Sequence, residues 1–305
     1  MPLTTRLFSF FPAEVSMRSY TTLVACAALL LSSVPALADS ATPLAGKDNK
    51  VEWQQISQWK IDGQPIDFAH SLDGKLVYVL NNQNQVVIYD TNGQLQGKLT
   101  VPEGTSQIAI APQGEALFLT NGKTKTFTAL AINFIFDIQT AGSPVKGNVN
   151  SPVSLVIFTD FECPYCIKLE PILNQVFEKN KDKIKMVFKN FPLAMHPMAD
   201  PAHRAAMAAD NQGKFWEFHD KLFASKLSQE GIDSIAKELG LDFAKFKKDM
   251  ESAEIQKRVS QDLVDGEKSS VTGTPTVFIN GRKVQQRTPE AFQQMIDDEL
   301  KKKGR

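Results

Sequence analysis

Four residues, Cys163-Pro164-Tyr165-Cys166, constrain this chain more than any others. They stand where the apolar, β-branched run from Val153 to Phe158 gives way to the helical spacing of Ile167, Leu169, Ile172, Leu173 and Val176. A strand that feeds directly into a helix, with two sulfurs one turn apart at the helix start, is the structure this junction predicts. Free backbone N–H groups and the helix dipole stabilise a thiolate at such a place. The pair can therefore make and break disulfides. Cys163, exposed at the helix start, is the attacking sulfur, and Cys166, one turn on and deeper, resolves the mixed disulfide. Pro164 has no N–H to lose at a helix start, and Tyr165 supplies a flat surface beside the sulfur.

The start of the chain bears on that reading. Arg18 precedes an apolar stretch, Leu23 to Leu31, and the small residues of a cleavage site follow in Ala36-Leu37-Ala38. Residues 1–38 read as an export leader, best started at Met17, whose apolar part is too short to span a bilayer comfortably. Cys26 falls inside it, so of the three cysteines only Cys163 and Cys166 remain after cleavage. A secreted domain stapled by structural disulfides shows several spaced pairs; one adjacent pair in an oxidising compartment is a small closed loop or a redox centre. Lys+Arg and Asp+Glu are both 34, which leaves no basic field for nucleic acid. A periplasmic location is the expectation.

Residues 39–50 are polar and read as a flexible N-terminus. From 51 to 130 short alternating runs are broken by turn residues, as at Asp73-Gly74, Asn92-Gly93 and Asn121-Gly122. Within this β-rich part Leu72 to Asn81 echoes Pro112 to Asn121 at an offset of 40 residues, the period of a propeller blade. Two blades are too few to close a propeller, so a small open or sandwiched antiparallel sheet is expected. Residues 131–150 form a connector. From 151 to 305 the pattern is strand, helix, strand, a helical tract over about 190–270, strand Thr276 to Ile279 and a last helix from Pro289, an α/β plan with an inserted α-helical subdomain.

The run Pro152 to Cys166, the blocks Asn190-Phe191-Pro192-Leu193 and Gly213 to Asp220, and the loop Val271-Thr272-Gly273-Thr274-Pro275-Thr276 occur in the order seen in DsbA-like proteins, and the chain resembles that family of thioredoxin-fold thiol-disulfide oxidoreductases. The resemblance implies a cis bond at Thr274-Pro275 and a loop that faces the sulfurs and pairs with the main chain of an extended client. It implies clients among unfolded or partly folded exported proteins with cysteines, a membrane redox partner of the DsbB or DsbD type, and no metal or other cofactor. Two positions depart from the founding members: Ile157 stands where they carry a buried acid, and Tyr165 where DsbA has a histidine. Without that cation, and with Glu162 beside the nucleophile, the Cys163 thiolate is expected to be less stabilised. The potential should then fall inside the span of about −120 to −270 mV, below its oxidising end.

Other readings remain open. The tetrad and Thr274 recur in isomerases similar to DsbG, whose N-terminal domain dimerises them, so an isomerase or reductase and a homodimer through residues 51–130 are alternatives. Copper delivery by Cys163 and Cys166 with a histidine is a further one. A zinc site needs two more ligands; His196 reads as a turn or packing residue, and His203 and His219 as surface or satisfied polar positions. Phe215, Trp216 and Phe218 read as core.

Overall fold

The computed structural model describes residues 44–112 and 114–303; the leader and Cys26 lie outside the described residues. The chain divides into two units, residues 1–58 and 59–305. In the first, β1 (Ala45–Asp48) pairs antiparallel with β2 (Val51–Gln54). The stretch expected to be a flexible N-terminus is thus in part a strand. Its apolar contact comes from the opposite arm, where the Trp53 ring lies across Gly46.

The second unit begins with two antiparallel sheets. One has the order β3 (Pro65–His70), β4 (Leu76–Asn81), β5 (Gln85–Asp90) and β6 (Leu95–Thr100); the other has β7 (Thr105–Ile110), β8 (Ala116–Asn121) and β9 (Thr126–Ala131). They do not close into a barrel. Tyr78, Leu80, Val86 and Ile88 of the first sheet pack on Ile108, Leu117 and Leu119 of the second, the sandwiched form of the expected sheet. The forty-residue echo extends to hydrogen bonds. Buried Asn81 donates to the Asp62 carbonyl and accepts from the N–H groups of Gln83 and Gln85. Asn121 donates to the Glu103 carbonyl and accepts from Lys123 and Thr124. Gly74 and Gly114 share a positive φ, 68° and 76°, open to glycine for want of a Cβ, and β3 and β7 carry a register shift at the same place.

The connector does more than connect. Ile135 forms a bridge with Arg282, the Phe136 N–H donates to the Gly281 carbonyl at 2.9 Å, and the Phe136 ring meets Phe278 edge-on at 5.8 Å. Gly281 permits this approach, because a Cβ there would lie 2.2 Å from the Phe136 oxygen. Farther on, β10 (Val145–Gly147) joins the next sheet, so the thioredoxin-like part begins ahead of residue 151. The residues that bring it in are Val145, packed on the sheet face, and Gly147, whose positive φ turns the chain beside Phe177.

That sheet has the order β10, β12 (Lys185–Asn190), β11 (Ser154–Thr159), β13 (Thr276–Ile279), β14 (Arg282–Lys283). Central β11 is parallel to β12 and antiparallel to β13. Because side chains alternate along a strand, Leu155 and Ile157 face α1 (Pro164–Asn180) and α7 (Pro289–Lys303), while Val156 and Phe158 face Phe191, Phe278 and the connector's Phe136. Between β12 and β13 stand α2 (Ala199–Asp210), α3 (Phe215–Ala224), α4 (Gln229–Glu238), α5 (Phe243–Met250) and α6 (Ala253–Lys268). Ser228, Asp242 and Ser252 start the last three by accepting the N–H three residues on. The helices close on a core of Phe215, Phe218, Leu222, Ile232, Phe246 and Ile255. This is a thioredoxin-like fold with an inserted helical subdomain.

Candidate active site

Strand β11 ends at Thr159 and α1 starts at Pro164, so residues 160–163 are the loop that presents the sulfurs. Cys163 is the N-cap of α1, with extended backbone and Pro164 following at the first helical position. No acid lies in the first turn, so the positive end of the helix dipole is not neutralised from within. The Cys163 thiol donates to the Thr274 carbonyl at 3.6 Å across 111 residues of sequence, and the Thr274-Pro275 bond is cis. The two loops thus meet over the Cys163 sulfur. In consequence Cys163 is not exposed as expected: it is 3% accessible against 2% for Cys166. What differs is the surroundings. Burial pushes the Cys166 thiol up to about 12, against the opposing influence of the Thr159 and Thr274 hydroxyls and the Asp160 N–H. That N–H lies 3.5 Å from the Cys166 sulfur. Tyr165 is 69% exposed, with Lys168 over its ring, and Pro164 and Tyr165 form the rim.

Ile157 sits in the apolar layer between β11 and α1 with no acid in its place. The buried acid of this site is instead Asp160, fully inaccessible. One oxygen accepts from the Glu162 N–H at 2.7 Å, the other from the Leu193 N–H and from Nδ1 of His196, both at 2.8 Å. Glu162 turns to the start of α2 and accepts the Met198 N–H at 2.7 Å, where a negative charge is favoured. The two acids thus clamp residues 193–198 to the cysteine loop. His196 is a member of this clamp, beyond the turn or packing role expected. The only hint in the sequence is the D-x-E spacing ahead of Cys163, which does not point to a partner 36 residues away.

Of the two positions expected for His203 and His219, surface or satisfied polar, neither is at the surface, and His219 is the satisfied polar one, its Nδ1 2.9 Å from an Asp220 oxygen. His203 is buried against Phe161 and Phe188, and His219 against Phe161, Phe188 and Phe223. Helical spacing alone misplaces them, because the cysteine loop lays Phe161 over this face of the insertion. Nδ1 of His203 contacts the Asn190 oxygen at 2.8 Å, its Nε2 has no partner among the described residues, and burial lowers its pKa to about 3. Phe215 and Phe218 are buried as core, with Trp216 packed against them. Glu170, His219 and Asp220 bring ligand atoms within 4.8 Å of one another, but the Lys146 ammonium, lying between the Phe177 and Trp216 rings, already faces this group electrostatically. The cluster does not include either cysteine.

Residues 139–298, just over half of the chain, match the family described as Thioredoxin. A Na(+)/H(+) antiporter NhaA 3 of Salinispora tropica is 38% identical over 142 residues, 46% of this chain and 22% of that protein. A Na(+)/H(+) antiporter NhaA 1 of Mycolicibacterium gilvum is 31% identical over 203 residues, 65% of this chain and 33% of that protein. The chain therefore spans a third or less of these relatives, and ion transport is said of them alone; among the described residues no helix is long and apolar enough to cross a membrane. The oxidised BdbD of Bacillus subtilis, 22% identical, shares the fold with a TM-score of 0.50 over 55% of this chain and 97% of its own.

Proposed function

This chain belongs to the thioredoxin family, and from that premise we propose that it is an exported, periplasmic oxidoreductase that exchanges disulfides with cysteines of other exported proteins. The observation that carries the reading is the contact of the Cys163 sulfur with the Thr274 carbonyl. It sets a sulfur at a helix N-terminus against a backbone segment on which an extended client can lie. In the reducing direction the Cys163 thiolate attacks a client disulfide and expels one client thiolate. Cys166 then gives up its proton and attacks the Cys163 sulfur, releasing the second client thiolate, and two electrons have passed to the client. Oxidation of a client dithiol is the reverse. A thiol as basic as that of Cys166 reacts only within the mixed disulfide, where its partner sulfur is adjacent.

Clients are unfolded or partly folded proteins with cysteines, and a membrane partner of the DsbB or DsbD type resets the pair. In exporting cells, replacement of Cys166 by Ser should accumulate client proteins linked through Cys163, and Cys163→Ser should remove both these adducts and insulin reduction. No adducts with Cys166→Ser would sink the proposal. The redox state of the wild-type pair gives direction: oxidised at steady state marks an oxidase, reduced an isomerase or reductase.

A further inference from the structure

Cys166 has to ionise where its surroundings least favour a charge. Its thiol gives up a proton before it can attack the Cys163 sulfur, yet it is buried, and among the described residues no cation or free carboxylate stands beside it. Ile157, on the strand face packed against α1, is apolar. The Asp160 carboxylate is engaged elsewhere, its oxygens taken by the Glu162 and Leu193 N–H groups and by His196. The titratable group that acts on Cys166 is Cys163, whose negative charge opposes the ionisation and is gone once Cys163 is in a disulfide.

Neutral donors stand there instead. Side chains alternate along β11, so Thr159 shares the α1 face with Leu155 and Ile157 and ends that row beside the first helical turn, which carries Cys166. Thr159 is buried, and the N–H of the next residue, Asp160, lies 3.5 Å from the Cys166 sulfur. Thr274 comes from the other side, with a buried hydroxyl that has no hydrogen-bond partner among the described residues. Both hydroxyls act on Cys166 in favour of its ionisation. Each is held by its backbone. The Thr159 carbonyl accepts the Phe191 N–H at 3.0 Å, and the Thr276 hydroxyl ties the Thr274 loop to the Gly273 carbonyl at 2.7 Å.

Resting on the oxidoreductase reading above, we propose that the Thr159 hydroxyl is a catalytic group of the resolving step. With the Asp160 N–H and the Thr274 hydroxyl it donates a hydrogen bond to the thiolate that Cys166 becomes. A hydroxyl hydrogen rotates to suit its partner, and a bond to the charged sulfur is stronger than one to the neutral thiol, so the gain falls on the reacting form. In the step itself the Cys166 proton goes to solvent. The bond between Cys166 and Cys163 forms as the bond from Cys163 to the client sulfur breaks, and the client sulfur leaves as a thiolate with the electron pair.

The test is stopped-flow reaction of the full, reduced exported chain with a symmetrical aromatic disulfide, dithionitrobenzoate, which reports each step as release of a coloured thiolate. Attack by Cys163 gives a first release that depends on reagent concentration; resolution by Cys166 gives a second that does not. Thr159→Val keeps the branched shape and removes the donor, while Thr159→Ser keeps the donor and removes the methyl group. The second release is expected to slow roughly fivefold in Thr159→Val, less than the full worth of a hydrogen bond to a charge because a more basic thiolate is also the better nucleophile. The first release, which also shows that the variant is folded, should stay within about twofold of wild type, and Thr159→Ser should resolve within about twofold as well. A second release equally fast in Thr159→Val overturns the inference, and so does Thr159→Ser slowed as much as Thr159→Val, which would make the side chain a packing element. A wild type with no second release overturns the oxidoreductase reading together with the inference.

Discussion

In the two blade-like sheets the buried asparagines come as counterparts: Asn81 closes its hairpin by the same kinds of bond as Asn121, forty residues on. In the thioredoxin-like domain Asp160, Lys189, Asn190 and His203 are buried once each, without a repeat. Lys189, for example, holds Asp262 at 2.6 Å and Asp265 at 2.9 Å, and Asp262 in turn accepts from Asn190. A repeated device acts locally, on the hairpin that contains it. A device used once joins segments remote in sequence, and here several of them converge on the loop that holds the sulfurs. Loss of the first kind should lower stability alone, and loss of the second should alter chemistry too.

The sulfurs give the largest contrast. At pH 8 a thiol at about 12 is ionised on the order of 10⁻⁴ of the time. In Cys163→Ser protein, iodoacetamide should therefore modify Cys166 roughly a thousandfold more slowly when folded than in urea. Equal rates would mean that burial does not set this group apart. Next, Asp160→Ala leaves the Leu193 N–H and His196 without their acceptor. It should cost about 3 kcal/mol in urea unfolding and slow insulin reduction by on the order of tenfold. A loss of stability with unchanged rate would break the distinction.

Asn121→Ala is the matched change in the repeat. About 2 kcal/mol of stability is expected to go, with exchange rates within about twofold of wild type; a larger kinetic effect would show that the sheets act on the active site. The smallest effect is a slope. His203 is held neutral when folded, while the unfolded chain takes up a proton below its ordinary pKa of 6.5. Its contribution is whole above that pH and declines toward pH 3, by at most about 1.4 kcal/mol per unit. The urea midpoint should fall less steeply with acid in His203→Asn than in wild type.

The parts of the fold written in local patterns were legible in the sequence. The strand and helix around Cys163, the strand Thr276–Ile279 and the helix Pro289–Lys303 follow from apolar spacing and turn residues; the offset of 40 pointed to a sandwiched antiparallel sheet, and its division into one sheet of four strands and one of three was not legible. The burial of Cys163 was not legible, because it depends on a carbonyl 111 residues away. The same holds for the Asp160 clamp and for His203, whose surroundings exist only after the insertion folds back on Phe161. Strand Val145–Gly147 is illegible for a different reason: three residues are too few to show a period.

The attachment of Phe136 at Gly281 also sets a leash. Between the end of β9 at Ala131 and the bridge at Ile135 there are four residue steps, and a fully extended chain covers at most about 14 Å in that distance. A connector twenty residues long would let a tethered module roam. Pinned after four, the end of the second blade-like sheet cannot travel more than that distance from the strand pair that follows the Pro275 loop.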